Sequence, residues 1–265
     1  MADETPVLEL RDVSIRFDAN AVLDGVSFQL APGETRILLG PAGGGKSVLL
    51  KVINGLMRPD SGSIKVFGEE ITTMSETQLF KMRKRVGMVF QESALFDSMN
   101  VEDNVAYRLN EERVDPEETH KRVEEALQFV EMSQAIDKFP SELSGGMRRR
   151  VSIARAIISK PELILYDSPT GGLDPITSTT IVELVVKQRD VSHTTALMIT
   201  HRLQDAFVLA TNRFDTETNE MKLIPDGGID DNTKFLVLNE GKIVFDGTTR
   251  ELTHSTDPWI QAYLA

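Results

Sequence analysis

The sequence contains no cysteine, which excludes a disulfide framework, a thiolate metal site and a thiol nucleophile. It also lacks any run approaching the roughly 20 apolar residues that span a bilayer, and its first residues lack the basic and apolar stretches of a secretory signal. Positive charge is scarce, since 29 lysines and arginines face 41 acids and leave a formal net charge of -12. Such a chain repels phosphate backbones on average. We therefore expect no nucleic-acid partner and no direct insertion into a membrane.

The 265 residues, 40% of them hydrophobic, are enough for one large α/β domain. Short β-rich runs come before residue 31 and are separated by Asp, Asn, Gly and Pro, a pattern that predicts an antiparallel layer. Later apolar runs have the length of buried strands and alternate with helix-like segments, which predicts a mostly parallel sheet. These runs are Ile37–Leu39, Val86–Phe90, Leu163–Tyr166 and Ala196–Ile199.

Between Asn100 and Lys160 the strand signals disappear, and helical spacing dominates instead. The segments Glu117–Val130 and Met147–Ile158 carry that spacing, so we expect a helical subdomain at about 92–160.

A second feature is the acidic stretch 214–233, which holds six acids against Lys222 alone and a Gly227-Gly228 turn signal. We expect an inserted loop or hairpin there. It is either a solvated excursion, which we favour because surface loops accept insertions at little cost, or a docking element.

The strand run that ends at Leu39 leads into Gly-Pro-Ala-Gly-Gly-Gly-Lys-Ser and then into a helical segment. This matches G-x-x-x-x-G-K-[ST] in the context that the motif requires. The glycines let backbone N–H groups point inward, Lys46 would reach the β and γ phosphates, and Ser47 would ligate Mg²⁺. The sequence therefore predicts a P-loop NTPase that binds ATP and Mg²⁺. The expected nucleotide-binding residues are Gly40, Pro41, Ala42, Gly43, Gly44, Gly45, Lys46, Ser47 and Val48.

The run Leu-Ser-Gly-Gly-Met precedes a predicted helix that opens with three arginines, at residues 148–150. A Ser-Gly-Gly before a helix can be a plain N-cap. Placed between the P-loop and the next motif, however, it resembles the signature of ABC-type ATPases, which usually ends in Gln. That resemblance implies that Ser144, Gly145, Gly146 and Met147 reach the γ phosphate of the nucleotide on another subunit. We expect the three arginines to form a solvated face and a subunit contact.

Further motifs follow in the order of the same family. The apolar strand ending in Asp167 resembles Walker B, which implies that this carboxylate holds Mg²⁺ through water. Gln91 resembles the Q-loop glutamine, which senses Mg²⁺ and the attacking water. Asp174 resembles the D-loop aspartate and His201 the switch histidine. Phe17 occupies the place of the aromatic that stacks on adenine, although an aromatic in a β-run is often core.

Ser168 departs from the family pattern, because active members usually carry Glu directly after the Walker B Asp. A serine hydroxyl cannot accept the proton of the hydrolytic water near neutral pH, and losing a positioned base costs about 10²- to 10⁴-fold in rate. Three accounts stay open: slow hydrolysis with His201 and Asp174 positioning water, a largely non-hydrolysing ATP-gated clamp, or an altered trapping variant. We favour slow hydrolysis, since electrostatic positioning supplies much of phosphoryl-transfer catalysis.

The ABC resemblance runs from about Val7 to Gly247. It implies an ABC ATP-binding domain at 7–250, with a RecA-like core, an antiparallel β layer and the helical subdomain, followed by a tail at 251–265. Met147 and the segments 89–107 and 257–260 are similar to the ATPase subunits of Mla/Mce-type phospholipid transporters.

That narrower resemblance implies a homodimer beneath two permease subunits, on the cytoplasmic face of the cell membrane, that moves phospholipid or a related lipid. Residues 92–107 would include the groove that receives the permease, or else form an amphipathic segment packed inside their own subdomain. A DNA-repair or translation ATPase is disfavoured by the acidic, cysteine-free composition.

Overall fold

The computed structural model describes residues 5–18 and 20–265. The strands are β1 Leu8–Phe17, β2 Asn20–Leu30, β3 Thr35–Leu39, β4 Ser61–Val66, β5 Glu69–Glu70, β6 Val86–Val89, β7 Leu163–Asp167, β8 Thr195–Ile199, β9 Asn212–Asp215, β10 Glu220–Leu223, β11 Thr233–Asn239 and β12 Lys242–Thr248. The α-helices are α1 Lys46–Ile53, α2 Glu76–Arg83, α3 Val101–Glu111, α4 Pro116–Phe129, α5 Gly145–Ile157, α6 Pro175–Ser192, α7 Leu203–Thr211, α8 Thr249–Thr253 and α9 Pro258–Leu264.

The main sheet has six strands in the order β12-β11-β3-β8-β7-β6. Pairing is parallel from β11 through β6, and only β12 runs antiparallel at one edge. All five residues of β3 and of β8 are buried, as expected for strands covered on both faces. The carboxyl ends of β3, β6, β7 and β8 therefore meet at one edge of the sheet, where binding sites of open α/β sheets form.

A second, antiparallel sheet follows the order β2-β1-β4-β5. It packs over one face of the main sheet, while helices cover the other. Successive residues of β3 enter different cores: Leu38 packs with Leu8 and Leu30 of the antiparallel layer, whereas Ile37 and Leu39 pack with residues of the helices. The predicted α/β class, with a mostly parallel sheet, an antiparallel layer and a helical region, is confirmed.

Helices α3, α4 and α5 pack on one another, and they contain the two segments whose helical spacing was predicted. The buried Asn104 fixes the loop before them, because its amide donates to the carbonyls of Phe96, Met99 and Asn100 at 2.9–3.0 Å. No helix in residues 5–18 and 20–265 is long and apolar enough to cross a membrane.

The acidic stretch begins in a β-hairpin made of β9 and β10, which packs against α6. Its base is held by the buried Arg189. This guanidinium donates to the Asn212 carbonyl at 2.7 Å and to the Thr233 hydroxyl at 3.1 Å. It also pairs with Asp190 at 2.6 Å and with Asp230 at 3.2 Å. Both ends of the stretch are thus fixed by one side chain.

We expect Arg189→Met to lower the free energy of unfolding by about 3 kcal/mol, because two acids and several polar groups lose their buried cation. Urea unfolding followed by circular dichroism measures it. The matched control is Arg213→Met, since Arg213 lies exposed on β9 and its loss should change stability by under about 0.5 kcal/mol. Equal unfolding midpoints for the two variants would contradict this account of the hairpin.

Candidate nucleotide site

The P-loop joins β3 to α1 through backbone that passes very close to its neighbours. A Cβ at Gly40, where φ is +145°, would lie 2.1 Å from the Leu238 carbonyl oxygen. A Cβ at Gly45, where φ is +93°, would lie 2.6 Å from the Val22 carbonyl oxygen. Glycine is required at both places by space and by backbone conformation. The curl of the loop, and hence the direction of its N–H groups, depends on these contacts.

Lys46 is only 8% exposed. Its Nζ donates to the carbonyls of Gly40 at 2.8 Å and Pro41 at 2.7 Å, so the ammonium lies folded over its own loop. Burial lowers the pKa of Lys46, while the nearby Asp167 carboxylate raises it. The side chain is therefore a cation held at the P-loop by backbone dipoles, which suits binding of a phosphate chain.

A cleft of about 420 Å³ opens at the carboxyl edge of the main sheet. It is lined by residues 42–48 together with Gln91, Ser168 and His201. These residues come from four separate places in the sequence, and the structure brings them together as the order of motifs predicted. Val22 and Ile199 complete the lining; neither was expected, because a lone aliphatic residue in a strand gives no signal of a site.

Asp167, the last residue of β7, directly precedes the cleft-lining Ser168 and lies beside Ser47. Its Oδ1 is buried without a hydrogen-bond partner. Burial raises the pKa of Asp167, whereas the Ser47 side chain and the cations of Lys51, Lys46 and Arg149 lower it. A carboxylate oxygen without a partner, beside a hydroxyl, fits a hard divalent cation such as Mg²⁺. Ser47 and Asp167 would hold it, with the amide oxygen of Gln91 as a further donor.

Ser168 is 7% exposed and takes a φ of +48°, which is uncommon for a residue other than glycine. Its N–H donates to the Ile199 carbonyl at 3.0 Å, and its carbonyl accepts from the Gly171 N–H at 2.9 Å. This turn places residue 168 at the cleft wall. The described residues that line the cleft carry no carboxylate, and the Asp167 carboxylate directly precedes Ser168 in the sequence.

Five expected residues outside the signature run do not line the cleft: Gly40, Pro41, Asp167, Asp174 and Phe17. Asp174 is the N-cap of α6, where its Oδ1 accepts from the Thr177 N–H at 3.0 Å and its Oδ2 from the Thr177 hydroxyl at 2.6 Å. These hydrogen bonds lower the pKa of Asp174. Phe17, at the end of β1, is 44% exposed, so it is not a core aromatic. Their roles at the nucleotide stay predictions.

The signature run also lies apart from the cleft of its own chain. Ser144 caps α5 and its hydroxyl accepts from the Met147 N–H at 3.2 Å, so the N-cap geometry is present. Gly146 allows α5 to approach α6, because a Cβ there would lie 2.4 Å from Cγ2 of Thr177. Gly145 and Met147 are partly buried, whereas Ser144 is exposed. The start of α5 therefore presents an exposed serine and a helix N-terminus, the kind of feature that can bind an anion.

Sequence reasoning missed Arg149. It is 4% exposed and donates to the carbonyls of Gln91, Ser168 and Gly171. The expectation of a solvated arginine face is wrong for this residue. Three consecutive helical residues spread over about 200° at 3.6 residues per turn, and Arg149 shares its face of the helix with the apolar Ile153 and Ala156, four and seven residues further on. The run of arginines was a signal that could have identified it.

Tyr263 of α9 was also missed, and no sequence pattern indicates it. Its hydroxyl accepts from the Gly40 N–H at 3.1 Å, and its ring stacks on Trp259 with centroids 5.3 Å apart. Burial raises the pKa of Tyr263, and the Gly40 hydrogen bond lowers it. The tail is thereby fixed to the first residue of the P-loop.

We expect Tyr263→Phe to lower the free energy of unfolding by about 1–2 kcal/mol, because the buried Gly40 N–H loses its acceptor. Thermal and urea unfolding measure this change. Tyr107→Phe is the control, since Tyr107 is 38% exposed and its ring keeps its contact with the Phe96 ring, whose centroid lies 4.7 Å away. A loss no larger than that of the control would show that the Gly40 contact adds no stability.

Comparison with known proteins adds to this geometry. The family model described as ABC transporter matches residues 23–171. The intermembrane phospholipid transport system ATP-binding protein MlaF of Escherichia coli K12 is 34% identical over 259 residues, covering 97% of this chain and 88% of that protein. The methionine import ATP-binding protein MetN of Rhizobium johnstonii is 40% identical over 198 residues, covering 75% of this chain and 55% of that protein.

Among solved structures, the dimeric post-hydrolysis state of the ATP-binding cassette MJ0796, bound to ADP and Pi, is similar with a TM-score of 0.76 and 26% identity. The match covers 91% of this chain and 98% of that one. The resemblance to ABC ATPases, and to the ATP-binding chains of Mla-type systems among them, is confirmed. The chain therefore belongs to the ABC transporter family and is an ATPase of that type.

Proposed function

We propose that this chain is the ATP-hydrolysing subunit of a lipid transporter, and that two copies close around ATP to drive permease subunits. The observation that carries the proposal is the separation of two anion-binding features within one chain. The P-loop, Gln91, Ser168 and His201 line one cleft, while the exposed Ser144 begins α5 elsewhere. A cleft of this kind becomes complete when the α5 start of a second copy covers it.

The chemistry assigned to each residue follows from its position. The N–H groups of the P-loop and the Lys46 ammonium bind the β and γ phosphates and offset the charge that develops during transfer. Ser47 and Asp167 hold Mg²⁺, which neutralises phosphate charge when bound. Gln91 and His201 lie at the same cleft and would orient the attacking water. None of these groups is a carboxylate base.

Ser168 then sets the rate. Because the described residues that line the cleft carry no carboxylate and Asp167 is assigned to Mg²⁺, proton removal from water has no positioned acceptor, and turnover should be slow while nucleotide binding is preserved. The second candidate, an ATP-gated clamp without turnover, rests on the same residue. The two differ in whether the protein without substitution releases phosphate at all.

We expect low but measurable ATPase activity, and a rise of about 10²- to 10⁴-fold in Ser168→Glu because a carboxylate base is restored. Phosphate release at saturating ATP and Mg²⁺ measures it. Ser168→Gln is the matched control: it has the size of Glu and the same left-handed backbone, but its amide cannot take the proton.

If Ser168→Glu brings no gain over Ser168→Gln, the missing-base explanation is wrong. If the unsubstituted protein releases no phosphate while Ser168→Glu does, the clamp describes the chain better than slow hydrolysis.

The dimer is supported by the solved relatives as well as by the geometry, since the similar MJ0796 cassette was solved as a dimer with ADP and Pi. In this chain the hydroxyl of Ser144 and the N-terminus of α5 offer an anion site that its own P-loop does not use. ATP bound to one copy would supply the anion. Nucleotide is then part of the interface.

We expect a non-cleavable ATP analogue with Mg²⁺ to double the mass measured by light scattering. Ser144→Tyr should abolish this change while leaving the affinity of the single copy for the analogue within about twofold, because Ser144 lies outside the cleft. Ser133→Tyr, at another exposed serine, is the control and should still form dimers. Single copies under all conditions, even with permease subunits supplied, would overturn the proposal.

The lipid cargo is proposed from the similarity to MlaF, which extends over 97% of this chain, whereas the similarity to MetN covers 75%. Permease docking at residues 92–107 is supported by two exposed aromatic residues, Phe96 and Tyr107, whose rings lie 4.7 Å apart. Through that contact the chain would sit on the cytoplasmic face of the membrane. Co-purification with membrane subunits, followed by lipid analysis, tests the cargo; recovered methionine rather than lipid would reject it.

A further inference from the structure

The loop that carries Gln91 adopts an unusual backbone. Ser93 and Ala94, two and three residues further on, have φ values of +64° and +48°. Both values lie in the left-handed region, which side chains other than glycine rarely adopt and which persists only where surrounding contacts enforce it. The Ser168 turn, which also lines the cleft, shares this property, with a φ of +48°.

These strained segments are held by α5. Arg149 donates from Nη1 to the Ser168 carbonyl at 3.1 Å and from Nη2 to the carbonyls of Gln91 and, at 3.4 Å, Gly171. Six residues further along the helix, Arg155 donates to the carbonyls of Ser93 at 2.9 Å and Ala94 at 2.7 Å. Two side chains of one helix thus bind five carbonyl oxygens of two loops, the one after β6 and the one after β7.

The Arg149 guanidinium is a buried positive charge. In the part of the chain that the structure describes it forms no salt bridge, and carbonyl dipoles surround its terminal nitrogens. Its Nε is buried without a partner. A guanidinium presents its N–H groups in one rigid plane, so the carbonyls that share it cannot shift independently. Moving any one of them leaves a buried charge less well solvated, which is costly.

We propose that Arg149 is a positioning residue: it holds Gln91 and Ser168 at the cleft and makes α5 move with them when nucleotide binds. The inference rests on the proposed function, because its consequence appears at Ser144, the start of the same helix. A change at Gln91 that accompanies ATP binding passes through Arg149 to α5, and so to the surface offered to the second copy. Arg155 supports the same connection from the far end of the loop.

Helix α5 contains a matched control residue for Arg149. Arg150 is the next residue, yet it donates to the Val130 carbonyl at 3.3 Å and pairs with Glu131 at 2.9 Å, both in the helical region and away from the cleft. Arg149→Gln and Arg150→Gln therefore remove the same charge from adjacent positions of one helix. Only the first removes donors from the cleft loops.

The experiment uses the full chain carrying Ser168→Glu. We expect Arg149→Gln to lower kcat by about 10- to 100-fold, because misplacement of catalytic groups by about 1 Å has such an effect. The affinity for a non-cleavable ATP analogue should stay within about twofold, since Arg149 does not line the cleft. Arg150→Gln should keep both values. Arg149→Lys, whose single ammonium cannot span three carbonyls, should fall between them.

A second measurement does not depend on turnover. Hydrogen–deuterium exchange of residues 145–149 should slow when the analogue binds to the chain with Arg149 or with Arg150→Gln, and should not change in Arg149→Gln. Thermal unfolding confirms that each variant is folded. If Arg149→Gln failed to fold, Arg149→Lys would decide the matter by the same two measurements.

The outcomes separate the two proposals. If the analogue binds and Ser168→Glu turns over, but Arg149→Gln matches Arg150→Gln in kcat and in exchange, the role of Arg149 is rejected and the proposed function stands. An equal fall in affinity and kcat would likewise reject it, because that result indicates general damage to the cleft. If Ser168→Glu is inactive although the analogue binds, hydrolysis fails as a proposal and exchange alone decides on Arg149. If no analogue binds, both fail.

Discussion

The close approach of the P-loop backbone to β11 and β2 is the constraint on which the rest of the site depends. Gly40 passes the Leu238 carbonyl and Gly45 passes the Val22 carbonyl at distances that admit no side chain. The loop is therefore pressed into a curl between two sheets before any ligand is present. This arrangement fixes the positions of Lys46 and Ser47, and it faces them toward the ends of β7 and β8.

Around that loop, the structure uses arginine in an unusual way. The arginines of α5 bind mainly backbone carbonyls: Arg149 and Arg155 hold the loops beside the cleft, and Arg148 donates at 2.6 Å to the carbonyl of Leu143, the first residue of the signature run. Carbonyl oxygens in loops lack the partners that a helix or sheet supplies. A helix rich in arginine supplies those partners and links loops that are distant in sequence. The chain is acidic overall, yet α5 carries a local group of arginines whose side chains bind the protein's own loops.

Much of the fold and of the candidate site was predictable, because periodicity and motif order report local structure. The buried runs that became β3, β6, β7 and β8 needed no knowledge of neighbours, and parallel strands bring their following loops to one edge. What could not be predicted depends on contacts between distant segments. The Tyr263 hydroxyl meets Gly40 across 223 positions of sequence, and the left-handed backbone at Ser168 is set by partners that no local pattern shows. The inward direction of Arg149 was recoverable from helix geometry, but its three acceptors were not.

Strand β3 takes part in two hydrophobic cores. Leu38 belongs to the core beneath the antiparallel layer, and its neighbours Ile37 and Leu39 belong to the core beneath the helices. Strand β3, which ends just before Gly40, thus contributes side chains to both hydrophobic cores. Neither core can loosen without disturbing this strand. Loss of order on either side should reach the phosphate loop directly, so that the two halves of the domain melt together and a half-molten species has no intact nucleotide pocket.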